Sequence, residues 1–453
     1  MERLCKIGTL NRNLMEELEN TSYIDPGLYK KYDVKRGLRN ANGTGVLVGI
    51  TNVADVQGYT VKDNKKISME GKLYYRGIDL DDICAYLEKE DRFGYEETVF
   101  LLLFGSLPSR SDLALFEKLL DENRTYPSTL MLDLLIKNPS VNLMNKLQRA
   151  VLSMHSYDDK PDENSLENNA VQSLNLIAKI PTIVAYTYHS AAHYYSNKSL
   201  IIHNPLPGKS TAENFLHMIR DDGKYTDLEA KLLDLCMTLH ADHGGGNNSA
   251  FAMHVVSSTG TDIYSALSAS IGSLKGPKHG GANLKVMEMI RNIKENCDYN
   301  NEKKLTTYIR KMLDGKVFDK KGLVYGMGHA VYTLSDPRKR IMSDKALKLA
   351  RIKNLEDEYN LIENVENITK KIFKEERGKD ICANIDMYSG FIYKILDLPE
   401  SIYTPIFAMS RLAGWCAHRL EQIRDNKIIR PAYITNVRHY EYTSINERED
   451  VIK

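Results

Sequence analysis

The chain has 453 residues, of which 42% are apolar and 27% charged, a composition typical of a folded globular protein and not of a disordered or fibrous one. Its 61 Lys and Arg residues balance 60 Asp and Glu residues. The chain therefore lacks the basic excess that is usual in nucleic-acid-binding proteins. At roughly 150 residues per domain, this length favours two large domains or about three smaller ones.

Neither the longest apolar run nor the N-terminal segment indicates a membrane-spanning or secreted protein. The longest clean apolar run, residues 99–104, is far shorter than the ~18 residues of a membrane span. The first twenty residues hold four glutamates and no apolar core like that of a signal peptide. Six scattered cysteines without a CxxC motif predict reduced thiols and no cysteine-rich zinc site. We therefore expect a cytoplasmic protein without membrane or nucleic-acid partners.

Strand-like patterning is confined to residues 44–75, where short apolar runs such as 46–48 and 72–75 alternate with Gly, Asn and Asp. Most of the remaining chain has helical periodicity. Residues 95–104 form an apolar helical segment that Gly105 is expected to end. Two polar stretches, 156–169 and 201–211, are predicted to be surface connections.

Several helix boundaries can be predicted from capping residues. Thr226 and Glu229 form a capping box, in which each side chain satisfies a free backbone N–H. The helix that follows is expected to bury one side, formed by Leu228, Leu232, Leu235, Cys236 and Leu239. A second helix carries a stripe of apolar residues and stops at Gly276, the stripe being Ile263, Leu267, Ile271 and Leu274. Asp336 and Thr404 each precede a proline, as N-cap residues often do. These signals predict well over ten helices.

Histidine and glycine are concentrated in three segments at the ends of predicted helices: 239–249, 276–283 and 325–331. Glycine allows close approach of the backbone to a ligand, and helix N-termini attract anions. An imidazole beside such a terminus can donate or accept a proton. For each segment alone, a histidine that bonds a helix end is the simpler interpretation. Three together favour an active site.

A metal site is the alternative interpretation of the first segment. His240 and His243 stand three residues apart, with Asp242 between them. The sequence contains no HExxH motif and no third ligand at a familiar spacing. A metal hydrolase is the functional class that this interpretation implies.

Several motifs in order resemble the citrate synthase family, which joins an acyl-CoA to a 2-oxo acid. They are LHADH, GPKHGGAN, GMGHAVYTLSDPR, NIDMYSG and TPIFAMSRLAGWCAH, with weaker matches upstream in YYRGIDL, EETVFLLLFGSLP, KIPTIVAYTY and NFLHM. The likeness covers about residues 70–432, and the first 45 residues carry little of it.

The resemblance implies three catalytic residues. Asp386 would be the base that takes a proton from the methyl group of the thioester. His279 would hydrogen-bond the thioester oxygen, and His329 would polarise the ketone of oxaloacetate. A carboxylate in a closed, dry site becomes more basic, which agrees with this role. The simpler interpretation of Asp386 is a helix N-cap, since a helix is predicted at 387–398.

The resemblance also implies a binding site for oxaloacetate, a dianion. Arginine matches carboxylates through two parallel hydrogen bonds. Arg338 and Arg411 would supply this charge, and Arg430 would be lent to the site of the neighbouring subunit. His243 would be a further oxaloacetate contact, and Asn247 would orient the histidines. A solvated surface ion pair is the simpler interpretation of any single arginine.

For the cosubstrate acetyl-CoA, the resemblance implies backbone contacts from the loop before His329. The residues concerned are Leu323, Val324, Gly326 and Gly328. Lys379 is the candidate phosphate contact, although the basic run 370–379 is equally typical of an exposed helix face. No metal and no permanently bound cofactor are expected.

The fold that the resemblance implies is mainly α, a two-domain helical fold with a few short N-terminal strands. The large domain would comprise residues 1–281 and, after the chain returns, 391–453. The small domain would comprise residues 282–390. The active site would lie in the cleft between them and close over oxaloacetate. A homodimer is expected if Arg430 is shared.

Three residues depart from the commoner family pattern: Gly244, Tyr325 and Met327. They leave the acyl preference open, so a 2-methylcitrate synthase that uses propionyl-CoA is the alternative. Pockets discriminate one methylene by only about 1–3 kcal/mol. A helical scaffold that has lost catalysis is the second alternative. The joint presence of His279, His329 and Asp386 speaks against it.

Overall fold

The computed structural model describes residues 12–63, 65–125, 129 and 131–448. Within them, three strands form one small sheet in the order β1-β2-β3: β1 (Ala54–Lys62), β2 (Lys65–Tyr75) and β3 (Ile78–Asp79). The helices of the first half are α1 (Arg12–Ser22), α2 (Pro26–Lys31), α3 (Leu80–Lys89), α4 (Tyr95–Phe104), α5 (Arg110–Glu122), α6 (Leu143–Ser153), α7 (Leu166–Ser196) and α8 (Thr211–Ile219). Those of the second half are α9 (Asp227–His240), α10 (Asn248–Ser257), α11 (Ile263–Lys275), α12 (Ala282–Asn296), α13 (Glu302–Leu313), α14 (Pro337–Ile352), α15 (Glu356–Arg377), α16 (Asp386–Ile395) and α17 (Tyr403–Asp425).

The mainly helical fold and the short N-terminal strands are confirmed, but one predicted strand is wrong. Residues 46–48 pair with no strand among the described residues, and Leu47 is 95% exposed. The apolar run there has no partner strand to give it a buried face. The strands begin only at Ala54.

Most predicted helix boundaries are confirmed. The Thr226 hydroxyl accepts a hydrogen bond from Glu229 N, and the Glu229 carboxylate accepts one from Thr226 N. Helix α4 ends at Gly105, whose φ of 87° is in the left-handed region that favours glycine. Helix α11 ends at Gly276, and its predicted stripe is buried. Leu228 is an exception, because it is 42% exposed in the first turn of α9.

The predicted cap at Thr404 is also wrong. Helix α17 begins at Tyr403, one residue before Thr404, directly after a short 3₁₀ turn at Glu400–Ile402. The Thr404 hydroxyl donates to the carbonyl oxygen of Gly280 instead of capping the helix. By contrast, the Asp336 carboxylate accepts a hydrogen bond from Arg338 N and caps α14 as predicted.

Helix α17 is the central element of the core. It packs against α4, α7, α9 and α10, and most of its residues are buried, including the single tryptophan, Trp415. Helix α16 packs against α12 and α14. This packing holds in place the start of α16, which carries Asp386. None of the helices in the described part of the chain is long and apolar enough to cross a membrane.

Contacts divide the chain into two compact units. One comprises Gly49–Asp63 and Ile67–Ile429. The other comprises, within the described residues, 12–48, 65–66 and 430–448. This division does not test the predicted domains at 1–281, 282–390 and 391–453, which stay a prediction.

Candidate active site

Two of the three histidine- and glycine-rich segments lie at helix ends in the larger unit, whereas the third, residues 326–331, lies in the loop between α13 and α14 and not at a helix end as predicted. Residues 241–247 join α9 to α10, residues 276–281 join α11 to α12, and residues 326–331 lead toward α14. The imidazole rings of His243 and His329 are 4.9 Å apart, edge to face. His243 and His329, which are 86 residues apart in the sequence, therefore lie next to each other in the fold.

Two buried arginines bring positive charge to this place. The Arg338 guanidinium donates to both carboxylate oxygens of Asp336, through Nε at 3.0 Å and Nη2 at 2.7 Å. Burial lowers the pKa of Arg338, but the charge and the hydrogen bonds of Asp336 together raise it above its usual range. Arg411 is fully buried, and its Nε donates to the carbonyl oxygen of His240 at 2.6 Å.

The two terminal nitrogens of Arg411 are buried and have no hydrogen-bond partner among the described residues. Burial lowers the pKa of Arg411 to about 10, so the group is still charged at neutral pH. An unpaired buried charge is strongly unfavourable unless an opposite charge compensates for it. Both terminal nitrogens of Arg411 can therefore donate hydrogen bonds to an anion.

His243 shares this environment. Burial lowers the pKa of His243 well below its ordinary range, and the charges of Arg338, His329 and Arg411 lower it further. The ring is therefore neutral at pH 7. Its Nε2 is buried without a partner among the described residues. A neutral imidazole with one unsatisfied nitrogen can bond to a ligand between the two arginines.

Asp386 is the first residue of α16, and its N-cap interpretation is wrong. Ile385 is the N-cap residue, and Asp386 Oδ1 is buried without a partner in the described part of the chain. Burial raises the pKa of Asp386 to about 6. Arg338 and Arg411 lower this pKa, and Asp336 raises it. The result is a carboxylate that is ionised at pH 7 and more basic than usual, as a general base requires.

The backbone ties the His329 loop to the Asp386 segment. Met327 and Ala383 form a β-bridge, and Gly328 N donates to the carbonyl oxygen of Cys382 at 2.8 Å. Asn384 completes the link, because its Nδ2 donates to the carbonyl oxygen of Gly328 and its Oδ1 accepts from Asp386 N. The two predicted catalytic groups are therefore held in a fixed relation.

The hydrogen bonds of His329 set its tautomer. The backbone N–H groups of Val331 and Tyr332 both donate to His329 Nδ1 at 3.1 Å. Since Nδ1 accepts, the proton of the neutral ring is on Nε2. His329 can thus donate a hydrogen bond through Nε2 to a substrate.

His279 is held by a side chain that the sequence reasoning did not single out, Ser249. Ser249 Oγ lies 2.9 Å from His279 Nε2, donates to Asn247 Oδ1 at 2.9 Å and accepts from Trp415 Nε1 at 3.1 Å. Burial lowers the pKa of His279 to about 4, with a further contribution from Arg411, so the ring is neutral at pH 7. Asn247, the predicted orienting residue, thus reaches His279 through Ser249.

Four of the five residues predicted to contact CoA belong to the loop before His329, and the fifth is Lys379. Val324 is buried and Leu323 exposed, while Gly326 and Gly328 have φ values of 80° and 90°. Lys379 is exposed, follows the end of α15, and forms no ion pair with any described residue. Neighbouring basic residues are engaged, as Lys370 pairs with Glu366 and Lys374 with Asp380. Arg430 is exposed and belongs to the smaller unit.

Among the described residues, His240, Asp242 and His243 do not bring three potential ligand atoms together, as the metal-ligating interpretation of the first segment would require. The Asp242 carboxylate bonds to His418 Nε2 at 3.2 Å, and His240 Nδ1 bonds to the carbonyl oxygen of Cys236. Within the described ranges, the side chains that bring three potential ligand atoms together are a different set, His155, Asp162 and Asp262.

Sequence reasoning missed Ser249, Tyr332 and Asn384 as parts of this site. All three lie within or next to the motifs, and this position in the sequence could have indicated a role in the site. Their roles depend on contacts across the fold, however, and no local pattern predicts such contacts.

Together, the fold and the site define a mainly helical enzyme in which two buried arginines lie near a carboxylate of raised pKa and three imidazoles. A model of the citrate synthase C-terminal domain family matches residues 42–432. The chain therefore belongs to the citrate synthase family.

Relatives and solved structures agree with this assignment. The chain is 34% identical over 381 residues to a citrate synthase from Deinococcus radiodurans, which covers 84% of this chain and 94% of that protein. It is 30% identical over 375 residues to a 2-methylcitrate synthase from Shewanella oneidensis, with 83% and 91% covered. Citrate synthase from Thermoplasma acidophilum, solved with carboxymethyl coenzyme A and oxaloacetate, superimposes with a TM-score of 0.75 at 25% identity, covering 92% of this chain and 99% of that one.

Proposed function

We propose that the chain condenses acetyl-CoA with oxaloacetate and water to give citrate and CoA. The observation that carries the proposal is Arg411, a buried cation whose two terminal nitrogens have no partner among the described residues. A carboxylate of oxaloacetate would fill both positions in a bidentate pair. Arg338, His243 and Arg430 would complete the binding of the dianion.

In the first step, Asp386 takes a proton from the methyl carbon of acetyl-CoA. The enolate oxygen accepts a hydrogen bond from His279, which needs no positive charge for this. This role requires the single Ser249 hydroxyl hydrogen to turn from Asn247 Oδ1 to His279 Nε2, so that His279 Nδ1 carries the donated proton. The raised pKa of Asp386 and the lowered pKa of His279 support these roles.

In the second step, the enolate carbon attacks the ketone carbon of oxaloacetate, and His329 Nε2 donates its proton to the oxygen that becomes the alkoxide. Water then cleaves the thioester, which releases citrate and CoA. Hydrogen-bond donors supply all of the polarisation in this proposal, so no metal and no bound cofactor take part. The acetyl-CoA itself would contact Leu323, Val324, Gly326, Gly328 and Lys379.

Two larger-scale features belong to the same proposal. The working unit would be a homodimer in which Arg430 acts in the partner's site. Closure of residues 282–390 over oxaloacetate would then exclude water until the carbon–carbon bond has formed.

A 2-methylcitrate synthase is the second candidate, because a relative of that name covers most of both chains at 30% identity. Propionyl-CoA would replace acetyl-CoA, and Asp386 would take a proton from a methylene carbon instead.

One assay tests both candidates. Free-thiol release is measured with acetyl-CoA and with propionyl-CoA, with and without oxaloacetate, in EDTA. We expect oxaloacetate-dependent release that EDTA does not abolish, faster with acetyl-CoA. A faster rate with propionyl-CoA would establish the second candidate. Release without oxaloacetate would indicate a thioesterase, and loss of release in EDTA would indicate a metal enzyme.

A further inference from the structure

Tyr332 lies among three side chains of the candidate site. Its ring stacks on His329, with centroids 4.6 Å apart and planes at 23°. It meets the His243 ring edge to face at 5.5 Å, and the Arg338 guanidinium lies 5.9 Å from its centroid. The side chain is only 2% exposed. One aromatic ring thus contacts the groups proposed to bind both the ketone and a carboxylate of oxaloacetate.

Two glycines in the strands make room for this ring. A Cβ atom on Gly71 of β2 would lie 2.2 Å from the carbonyl oxygen of Ser335 and 2.8 Å from Tyr332 Cδ1. A Cβ atom on Gly58 of β1 would lie 2.7 Å from the carbonyl oxygen of Val331 and 3.0 Å from Tyr332 Cδ1. Neither glycine has a positive φ, so these positions need glycine for close approach and not for backbone conformation.

Hydrogen bonds hold the strands against the same segment. Gly71 N donates to Ser335 Oγ at 3.1 Å, and the Tyr332 hydroxyl donates to the carbonyl oxygen of Lys72 at 3.4 Å. Ser335 Oγ in turn donates to the Glu70 carboxylate. Hydrogen bonds with Glu70, Gly71 and Lys72 of β2 therefore hold the segment between His329 and Arg338 in place.

We propose that Tyr332 is a positioning residue for oxaloacetate. Its aromatic ring lies between the strands β1 and β2 and the candidate site, where Gly58 and Gly71 leave room for it. It sets the spacing between His329, which would donate to the ketone, and Arg338, which would bind a carboxylate. The attraction of a guanidinium for the face of the ring contributes to holding Arg338 in place. This inference rests on the proposed function and adds a residue and a structural element to it.

The proposal predicts a change in the KM of one substrate only, together with a lower kcat. A misplacement of about 1 Å in a reacting group can lower a rate by roughly a hundredfold. Replacing Tyr332 with alanine should therefore raise the KM for oxaloacetate at least about tenfold and lower kcat by a similar factor. The KM for acetyl-CoA, measured at saturating oxaloacetate, should stay within about twofold, because His329, His243 and Arg338, which contact the ring, are not among the residues proposed to bind CoA.

Three further variants separate positioning from general structural support. Tyr332→Phe keeps the ring and loses only one long hydrogen bond, so both parameters should return to within about twofold of the wild type. Gly71→Ala leaves the ring intact but displaces it, and should reproduce the oxaloacetate defect. Gly49→Ala is the matched control, because no atom of the described residues lies within 4 Å of its Cβ position. It should behave like the wild type.

Binding of oxaloacetate is measured in parallel by calorimetry, which does not depend on turnover. Circular dichroism and the Tm establish whether each variant is folded. If Tyr332→Ala does not fold, the oxaloacetate Kd and KM of Gly71→Ala test the proposal in its place. An unchanged oxaloacetate Kd and KM in the folded variants would overturn the inference, as would equal changes in the KM of both substrates. If the wild type releases no thiol with oxaloacetate, the proposed function fails. The calorimetric comparison of Tyr332→Ala with Tyr332→Phe then still tests the inference.

Discussion

Two buried arginines of α17 show how a binding residue differs from a structural one. The nitrogens of Arg419 donate to Asn169, Ser257, Asn164 and the carbonyl oxygen of Thr261. The terminal nitrogens of Arg411 have no partner among the described residues. The fold therefore gives every nitrogen of Arg419 a partner, whereas the terminal nitrogens of Arg411 remain available to a ligand.

This difference predicts opposite outcomes for the same substitution. Arg411→Lys keeps the charge but loses the bidentate geometry, a loss of about 1.5–3 kcal/mol in binding, or roughly 10- to 100-fold in the KM for oxaloacetate. Arg419→Lys should instead lower the free energy of unfolding and leave this KM within about twofold. Steady-state kinetics and urea unfolding check both variants. Equal effects of the two variants on the KM would contradict the assignment of Arg411.

The pKa of Asp386 has a consequence for stability. Its folded-state pKa of about 6 is above the value of 3.8 that an exposed aspartate has. Well below pH 3.8 both states hold the proton, so the group has no effect on unfolding. Between pH 4 and 6 the unfolded state loses its proton first, which destabilises the folded state. Above pH 6 this destabilisation is complete.

Asp386→Asn should therefore be more stable than the wild type at pH 7, by on the order of 1–3 kcal/mol. The difference should be small near pH 4 and grow as the pH rises to 6. Urea unfolding of both proteins from pH 4 to 8 measures it. A variant that is less stable than the wild type at pH 7 would show that burial does not raise this pKa.

At the scale of elements, the link between residues 326–328 and 382–384 holds His329 and Asp386 together. Asn384 is the side chain that bonds to both segments. Asn384→Ala should lower the free energy of unfolding by about 1–3 kcal/mol and kcat at least about tenfold.

The control for this prediction is Asn296→Ala, which removes one exposed hydrogen bond to the carbonyl oxygen of Asn292 in α12. It should change stability by less than about 0.5 kcal/mol and leave kcat unaltered. A full kcat in the Asn384 variant would mean that the backbone alone fixes the two catalytic groups.

The sequence predicts elements well where the signal is local. The capping box at Thr226 and the stop at Gly105 depend on neighbouring residues, and both are confirmed. Residues 46–48 and Thr404 were misjudged because strand pairing and the Gly280 contact involve distant segments. The same limit applies to the site: motifs name Asp386 and Arg411, whereas Ser249 and Tyr332 act through contacts that only the fold brings about.

At the scale of the molecule, the proposed dimer gives Arg430 a role in the partner's site. Arg430→Gln and Asp386→Asn homodimers should each be nearly inactive. Mixed dimers would contain one intact site, with Asp386 from one subunit and Arg430 from the other. Unfolding and refolding the two variants together should restore up to about a quarter of wild-type activity. If Arg430 acts within its own subunit, the mixture stays inactive.

The central claim is that this site forms a carbon–carbon bond with Asp386 as the base. The most direct test incubates the protein with oxaloacetate and acetyl-CoA labelled with ¹³C at the methyl carbon, and follows the label by NMR. We expect the label to appear in a methylene carbon of citrate with the wild type and with Arg419→Lys, but not with Asp386→Asn. Labelled acetate in place of citrate, or equal citrate formation by the Asp386 variant, would contradict the claim.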